Sequence, residues 1–196
     1  MNHTLALILL LPALTQAAEL PCELNPADAL VFDGVTFALG NRAFADRVVR
    51  YRPGAGVGPE YSFANTAIGM PNWADGVGAV SLGYRTETQP AALVLGFTQA
   101  AIFNGPGADL YVFEVGPVVE ATDVSLSVDG RDWVSVGRIE GATRAIDLDD
   151  VPGSQPGAAY RYIKLVNAGG RSSAPYAGAD IDAVGIMGAC PAPREI

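Results

Sequence analysis

Histidine is almost missing from this chain of 196 residues, and the single one is His3. It falls inside a stretch, Met1 to about Ala18, that reads as a secretory signal peptide. A mature chain without histidine cannot build a Ser-His-Asp or Cys-His catalytic site, or a His-ligated zinc site. Lysine is as scarce: Lys164 is the only one, and it sits in a strand-like run, which argues against covalent lysine chemistry. No apolar run is long enough to span a membrane as a helix, since Leu5–Leu14 is too short. Positive charge is also in deficit. With 12 Lys+Arg against 21 Asp+Glu the net charge is -9, which argues against nucleic acid and against anionic membrane surfaces.

The signal reading has one departure, an n-region without Lys or Arg. Cleavage at Ala17 or Ala18 would leave one exported domain, 19-196, large enough for a full core. The two cysteines, Cys22 and Cys190, lie near its ends. In an exported chain they are expected to form one disulfide, worth roughly 4–5 kcal/mol in the chain-entropy account. Such a bridge would bring the first and last strands side by side. Glu19-Leu-Pro-Cys22 is a poor lipoprotein box, because Pro21 stands where a small residue is needed.

What the chain does have is turn residues, with 23 Gly and 14 Pro, and short alternating runs between them. That is the all-β pattern. Strands are expected near Leu30–Leu39 (broken at Asp33-Gly34), Arg47–Tyr51, Val80–Tyr84, Ala92–Phe97, Leu110–Val115, Asp123–Val128, Trp133–Ile139, Arg144–Leu148, Tyr160–Val166 and Ile181–Ile186. Asp129-Gly130 between alternating runs predicts a hairpin, with Trp133 assigned to the core. Two long Gly/Pro loops, Arg52–Asn65 and Ile68–Gly78, precede the central strands and offer a place for a binding surface. Arg47, Arg50 and Arg52 alternate along one edge and read as a solvated, aggregation-resistant face.

Ser127-Val-Asp-Gly-Arg-Asp-Trp133, followed by Tyr160-Arg-Tyr-Ile-Lys-Leu165, resembles the hairpin-and-strand signature of discoidin-like, galactose-binding-type jelly rolls. More of the chain resembles a group of exported bacterial proteins of unsettled function, described as cell-surface or adhesion-like. The matching motifs are Ala67-Ile-Gly-Met-Pro71, Val80-Ser-Leu-Gly83, Gly105-Pro-Gly-Ala-Asp-Leu-Tyr-Val-Phe-Glu114 and Ala179-Asp-Ile-Asp-Ala-Val184. The resemblance implies a single antiparallel β-sandwich of jelly-roll type and no enzymatic activity. Many of that group end in a sorting anchor. This chain ends Cys190-Pro-Ala-Pro-Arg-Glu-Ile196, so a secreted or periplasmic location is expected.

Two acidic segments are the functional lead. Alternation puts Asp109 and Glu114 on opposite faces of one strand, and Asp180 and Asp182 on one face of another. If the strand from Ile181 pairs near Leu110, these acids converge, and Asn104 could join them in a structural calcium site of oxygen ligands. The competing reading is that Asp109 and Asp180, each two residues after a Gly, accept hydrogen bonds from turn amides, with Glu114 paired to Arg85 or Arg161. A third is a glycosidase carboxyl pair. On the loops, Trp73, Tyr61, Phe63 and Tyr84 could stack on sugars, with Tyr176 a further ligand-binding candidate. Alternatively, Trp73 plugs one end of the sandwich and Tyr84 lies in a strand. The expected function is a secreted, non-catalytic binding or adhesion module, calcium-stabilised, with a glycan or extracellular-matrix ligand. The alternatives are a carbohydrate-active hydrolase and a purely structural secreted component.

Overall fold

The computed structural model describes residues 24–187, apart from 75, 117, 118, 141–143, 156, 170 and 171. Cys22 and Cys190, and with them the expected disulfide, lie outside the described residues, as does the signal segment. Among the described residues there are eleven strands: β1 Leu30–Phe32, β2 Val35–Phe37, β3 Arg47–Arg52, β4 Val80–Ser81, β5 Ala92–Gly96, β6 Leu110–Val115, β7 Thr122–Ser127, β8 Val134–Ile139, β9 Arg144–Ile146, β10 Tyr162–Asn167 and β11 Asp180–Ile186. The segment 41–46 begins in a short 3-10 turn, Gly40–Ala43.

The strands form an antiparallel β-sandwich. One sheet has the order β3-β5-β10-β7-β8, the other β4-β11-β6-β9, and β1-β2 is a separate hairpin. The chain changes sheet at nearly every connection, as in a jelly roll. Alternation explains the layers. Val112 and Leu110 of β6 pair with Val184 and Ile186 of β11 on the face turned toward Leu93, Leu95, Ile163, Leu165, Val124 and Leu126 of the five-stranded sheet, all of them buried in one continuous core.

The opposite face of β6 carries Phe113, which packs with Phe32, Phe37 and Phe44 at centroid distances of 6.5, 5.9 and 6.4 Å. The first hairpin therefore lies flat over the last strand. Among the described residues β1 and β2 pair only with each other, and the chain after them makes the bridge Phe44↔Gly185, so the expected side-by-side pairing of first and last strands is replaced by face-on packing. Gly185 makes this possible: a Cβ there would come within 2.5 Å of the Phe37 ring. Gly185→Ala is expected to destabilise the fold by about 1–3 kcal/mol through overpacking, read as a lower midpoint of urea unfolding.

The predicted hairpin is present, with Ser125 opposite Ser135 and Leu126 opposite Val134. Asp129 Oδ1 accepts from Arg131 and Asp132 N–H at 2.8 and 3.0 Å, and Gly130 takes φ +77°. Trp133 is not in the core. It is half-buried on the outer face of the five-stranded sheet, with Lys164 Nζ 4.4 Å from its ring centroid. One ring face meets a cation and lysine stem instead of the opposing sheet. Arg47, Arg50 and Arg52 are exposed on β3, an edge strand, as expected.

Candidate functional site

The antiparallel register of β6 and β11 decides where the acids go. Asp180 lies opposite Val115, and Ile186 opposite Leu110. Glu114 and Asp180 are thus at one end of the sandwich and Asp109 is at the other. The five residues expected to hold calcium do not converge, and among the described residues no group of three or more His, Cys, Asp or Glu side chains is arranged to hold a metal.

At the far end, Asp109 is fully buried. Its Oδ1 accepts from Gly105 N–H at 2.7 Å and its Oδ2 from Leu148 N–H at 2.8 Å. Burial pushes its pKa up, opposed by these two bonds. It ties the Gly105–Gly107 turn to the turn after β9. Asn104 Nδ2 donates to Asp149 Oδ1 beside it, at 2.9 Å. Asp109→Asn leaves one of those N–H groups facing an NH2, at a cost of about 1–3 kcal/mol. The expected result is a lower melting temperature by the same amount in EDTA and in calcium. A fall seen only in calcium would restore the metal reading.

At the other end, Glu114 is 3% and Glu120 4% exposed. Glu120 N–H donates to Glu114 Oε1 at 3.2 Å, and Glu120 Oε1 accepts from Ser172 N–H at 3.0 Å. Ser172 Oγ accepts from Gly178 N–H at 3.0 Å. Burial raises the Glu114 pKa to about 8, and the neighbouring Glu120 and Asp180 carboxylates add to the rise. Burial thus favours the protonated form of Glu114, which accepts from the Glu120 backbone N–H and is not paired with Arg85 or Arg161 among the described residues. Asp180, raised by burial to about 6, accepts from Ser81 Oγ, whose own carbonyl accepts from Tyr51 Oη at 2.6 Å.

Above this network lies a shallow cleft of ≈ 240 Å³, walled by Tyr61, Trp73 and Tyr176 with Asp180 among its lining. Each ring comes from a different loop, and each loop is pinned. Trp73, 42% exposed, sits on a tight turn closed by mutual backbone bonds between Ala74 and Val77 at 2.9 and 3.0 Å. The Asp182 carboxylate holds this loop by accepting from the N–H groups of Asn72, at 3.0 Å, and Trp73. Asp182 is thus a clamp for the loop, standing at a bulge in β11 between Ile181 and Ala183. Tyr61 and Tyr176 meet edge-to-face at 5.7 Å. The Tyr176 loop is joined to the first loop by the bridge Val57↔Tyr176 and to the second sheet by Gly83 N–H donating to Ala177 O at 2.7 Å. Gly178, φ +75°, presses on Gly83 so closely that a Cβ would meet its carbonyl oxygen at 2.5 Å.

The structure thus brings together three of the five aromatic residues named as candidates for a ligand face, Tyr61, Trp73 and Tyr176. Trp73 does not plug the sandwich end. Tyr84 lies elsewhere, in a second cleft, and Phe63 is exposed outside both. Glu120 was missed by the sequence reading, because it stands in no strand or turn pattern.

No family model matches the chain, and no curated protein matches it. Among solved structures, a carbohydrate-binding module specific for non-crystalline cellulose (CBM28) is similar, at 16% identity over 71% of this chain and 99% of that one, with a TM-score of 0.34. That likeness is too slight to speak for a ligand. No helix among the described residues is long and apolar enough to cross a membrane.

Proposed function

We propose that this is a non-catalytic glycan-binding module acting outside the cytoplasm, with the Tyr61–Trp73–Tyr176 cleft as its binding face. The observation that carries the reading is the convergence of three aromatic side chains, from three separately pinned loops, around one carboxylate. Exposed aromatic rings suit the apolar faces of sugar rings, and Asp180 offers an acceptor for sugar hydroxyls. Rings held by backbone bonds lose little entropy on binding. A shallow open cleft suits a segment of a polymer better than an engulfed small molecule.

A hydrolase needs two carboxyls facing each other across the sugar. Among the described residues lining the cleft, Asp180 is the one carboxylate, and Glu114 lies buried behind it, bonded to Glu120. That favours binding over hydrolysis. The test is migration of the mature protein through native gels containing neutral polysaccharides (cellulose derivatives, β-glucan, xylan, galactomannan), with reducing ends assayed in parallel. Retardation by at least one polysaccharide without release of reducing ends is expected. Free migration in all of them would overturn the reading, and release of reducing ends would favour the hydrolase.

A further inference from the structure

The second cleft, also ≈ 240 Å³, is lined by Tyr84, Arg85, Asp123, Arg138 and Asn167, with the backbone of Ala168 and Gly169. It inverts the electrostatics of the molecule. The chain carries a net charge of -9, yet this cleft holds two guanidinium groups and one carboxylate. Arg138 is already paired: its Nε donates to Asp123 Oδ1 at 2.9 Å and its Nη2 to Oδ2 at 3.4 Å, across the β7–β8 ladder. That pairing fixes its plane and leaves its remaining N–H groups for another acceptor. Arg85 is exposed, and no carboxylate pairs with it among the described residues. Tyr84, beside it, is held by mutual backbone bonds with Ala55 at 2.8 and 2.9 Å.

The two clefts are neighbours. Residues 168 and 169, just after β10, line one, and Tyr176, just before β11, lines the other. Tyr84 and Tyr176 bridge to Ala55 and Val57, the two neighbours of Gly56 in one turn. One oligosaccharide can reach both.

We propose that the arginine cleft is a second subsite that takes a sugar carboxylate, so that the ligand is a glycan bearing uronic-acid residues. A neutral ring stacks in the Trp73 cleft, and an acidic residue of the same chain reaches Arg85 and Arg138. This rests on the glycan-binding reading of the aromatic cleft. Planar guanidinium forks match a carboxylate, whereas Asp180 repels one from the aromatic side, so the charge sets which residue of the glycan sits in which cleft.

The test uses uronate-containing polysaccharides (polygalacturonate, alginate, glucuronoxylan), each beside its carboxyl-reduced neutral counterpart, with wild-type protein and Arg85→Ala. At least one acidic polymer is expected to bind about tenfold more tightly than its reduced form. Arg85→Ala should remove that preference while keeping the binding of the neutral form and the melting temperature. The preference should also shrink in 0.5 M salt, because the subsite is exposed to solvent. Equal binding of acidic and reduced forms overturns the subsite and leaves the aromatic cleft standing. A preference that survives Arg85→Ala overturns it too. No binding to any acidic or reduced polymer overturns the subsite, while the neutral panel separately decides the aromatic cleft.

Discussion

Trp73→Ala is expected to weaken binding to any polysaccharide that retains the protein by at least about 30-fold, with the melting temperature nearly unchanged. Aromatic anchors at the centre of a binding face are the residues whose truncation costs about 2 kcal/mol or more. Trp73 has the geometry of such an anchor. Its loop is fixed by Asp182 and by the Ala74–Val77 turn, so its ring is presented without being needed by the core. The measurement is gel retardation or calorimetric titration of wild-type and variant proteins with the same glycan. Tyr61 and Tyr176 support each other edge-to-face, so truncating either should cost less than losing Trp73, yet disturb both.

The second large effect concerns pH. The Glu114 pKa is raised in the folded state from 4.5 to about 8, and that of Asp180 from 3.8 to about 6. A carboxyl with a raised folded pKa binds its proton more tightly folded than unfolded. Its contribution to stability is complete below the unfolded value and is lost as pH rises through the folded one. Wild-type stability should therefore fall between about pH 4 and pH 8, the reverse of the usual behaviour of paired acids. Glu114→Gln copies the neutral acid: its oxygen still accepts from Glu120 N–H, and its NH2 can donate to the Glu120 carboxyl. The variant should match the wild type near pH 4, lie increasingly above it as pH rises from about 4.5 to about 8, and keep only the shallower fall of Asp180 as that group titrates around pH 6. At pH 9 it should exceed the wild type by on the order of 2 kcal/mol, a few degrees in melting temperature. Thermal melts from pH 4 to 9 decide it. Parallel curves for the two proteins would contradict the buried carboxyl pair.

Much of the fold was legible because alternation and turn chemistry are local. β6, Leu110–Val115, stands where alternation put it, the break at Asp33-Gly34 divides β1 from β2, and Asp129-Gly130 turns the predicted hairpin. What was not legible is pairing between distant strands. Pairing of the strand from Ile181 near Leu110 would have gathered the acids at one sheet end. Antiparallel pairing of β6 with β11 sends them to opposite ends, and no local signal carries that direction. Trp133 shows the same limit. The alternating run from Trp133 was real, but which face it presents depends on register, and that face is the outer one, under Lys164.

The site was legible where it depends on exposure. A large aromatic in a Gly/Pro loop either fills a gap or stays exposed, and Trp73 and Tyr176 are exposed along one cleft. Tyr84 stands in the other cleft, where its bridge to Ala55 holds it. Glu120 and the Arg85–Arg138 cleft had no signal at all, since each exists only through contacts between strands far apart in the chain.

On the proposed reading, Trp73 meets the glycan directly. The chain holds two tryptophans, and the other, Trp133, packs on Lys164 away from the cleft. In a Trp133→Phe protein, fluorescence therefore reports Trp73 alone. Titrating that protein with a soluble form of a retained polysaccharide should give a saturable change in emission, with the same midpoint as retardation in the gel. A polysaccharide that retains the protein yet leaves the Trp73 emission unchanged would contradict the account.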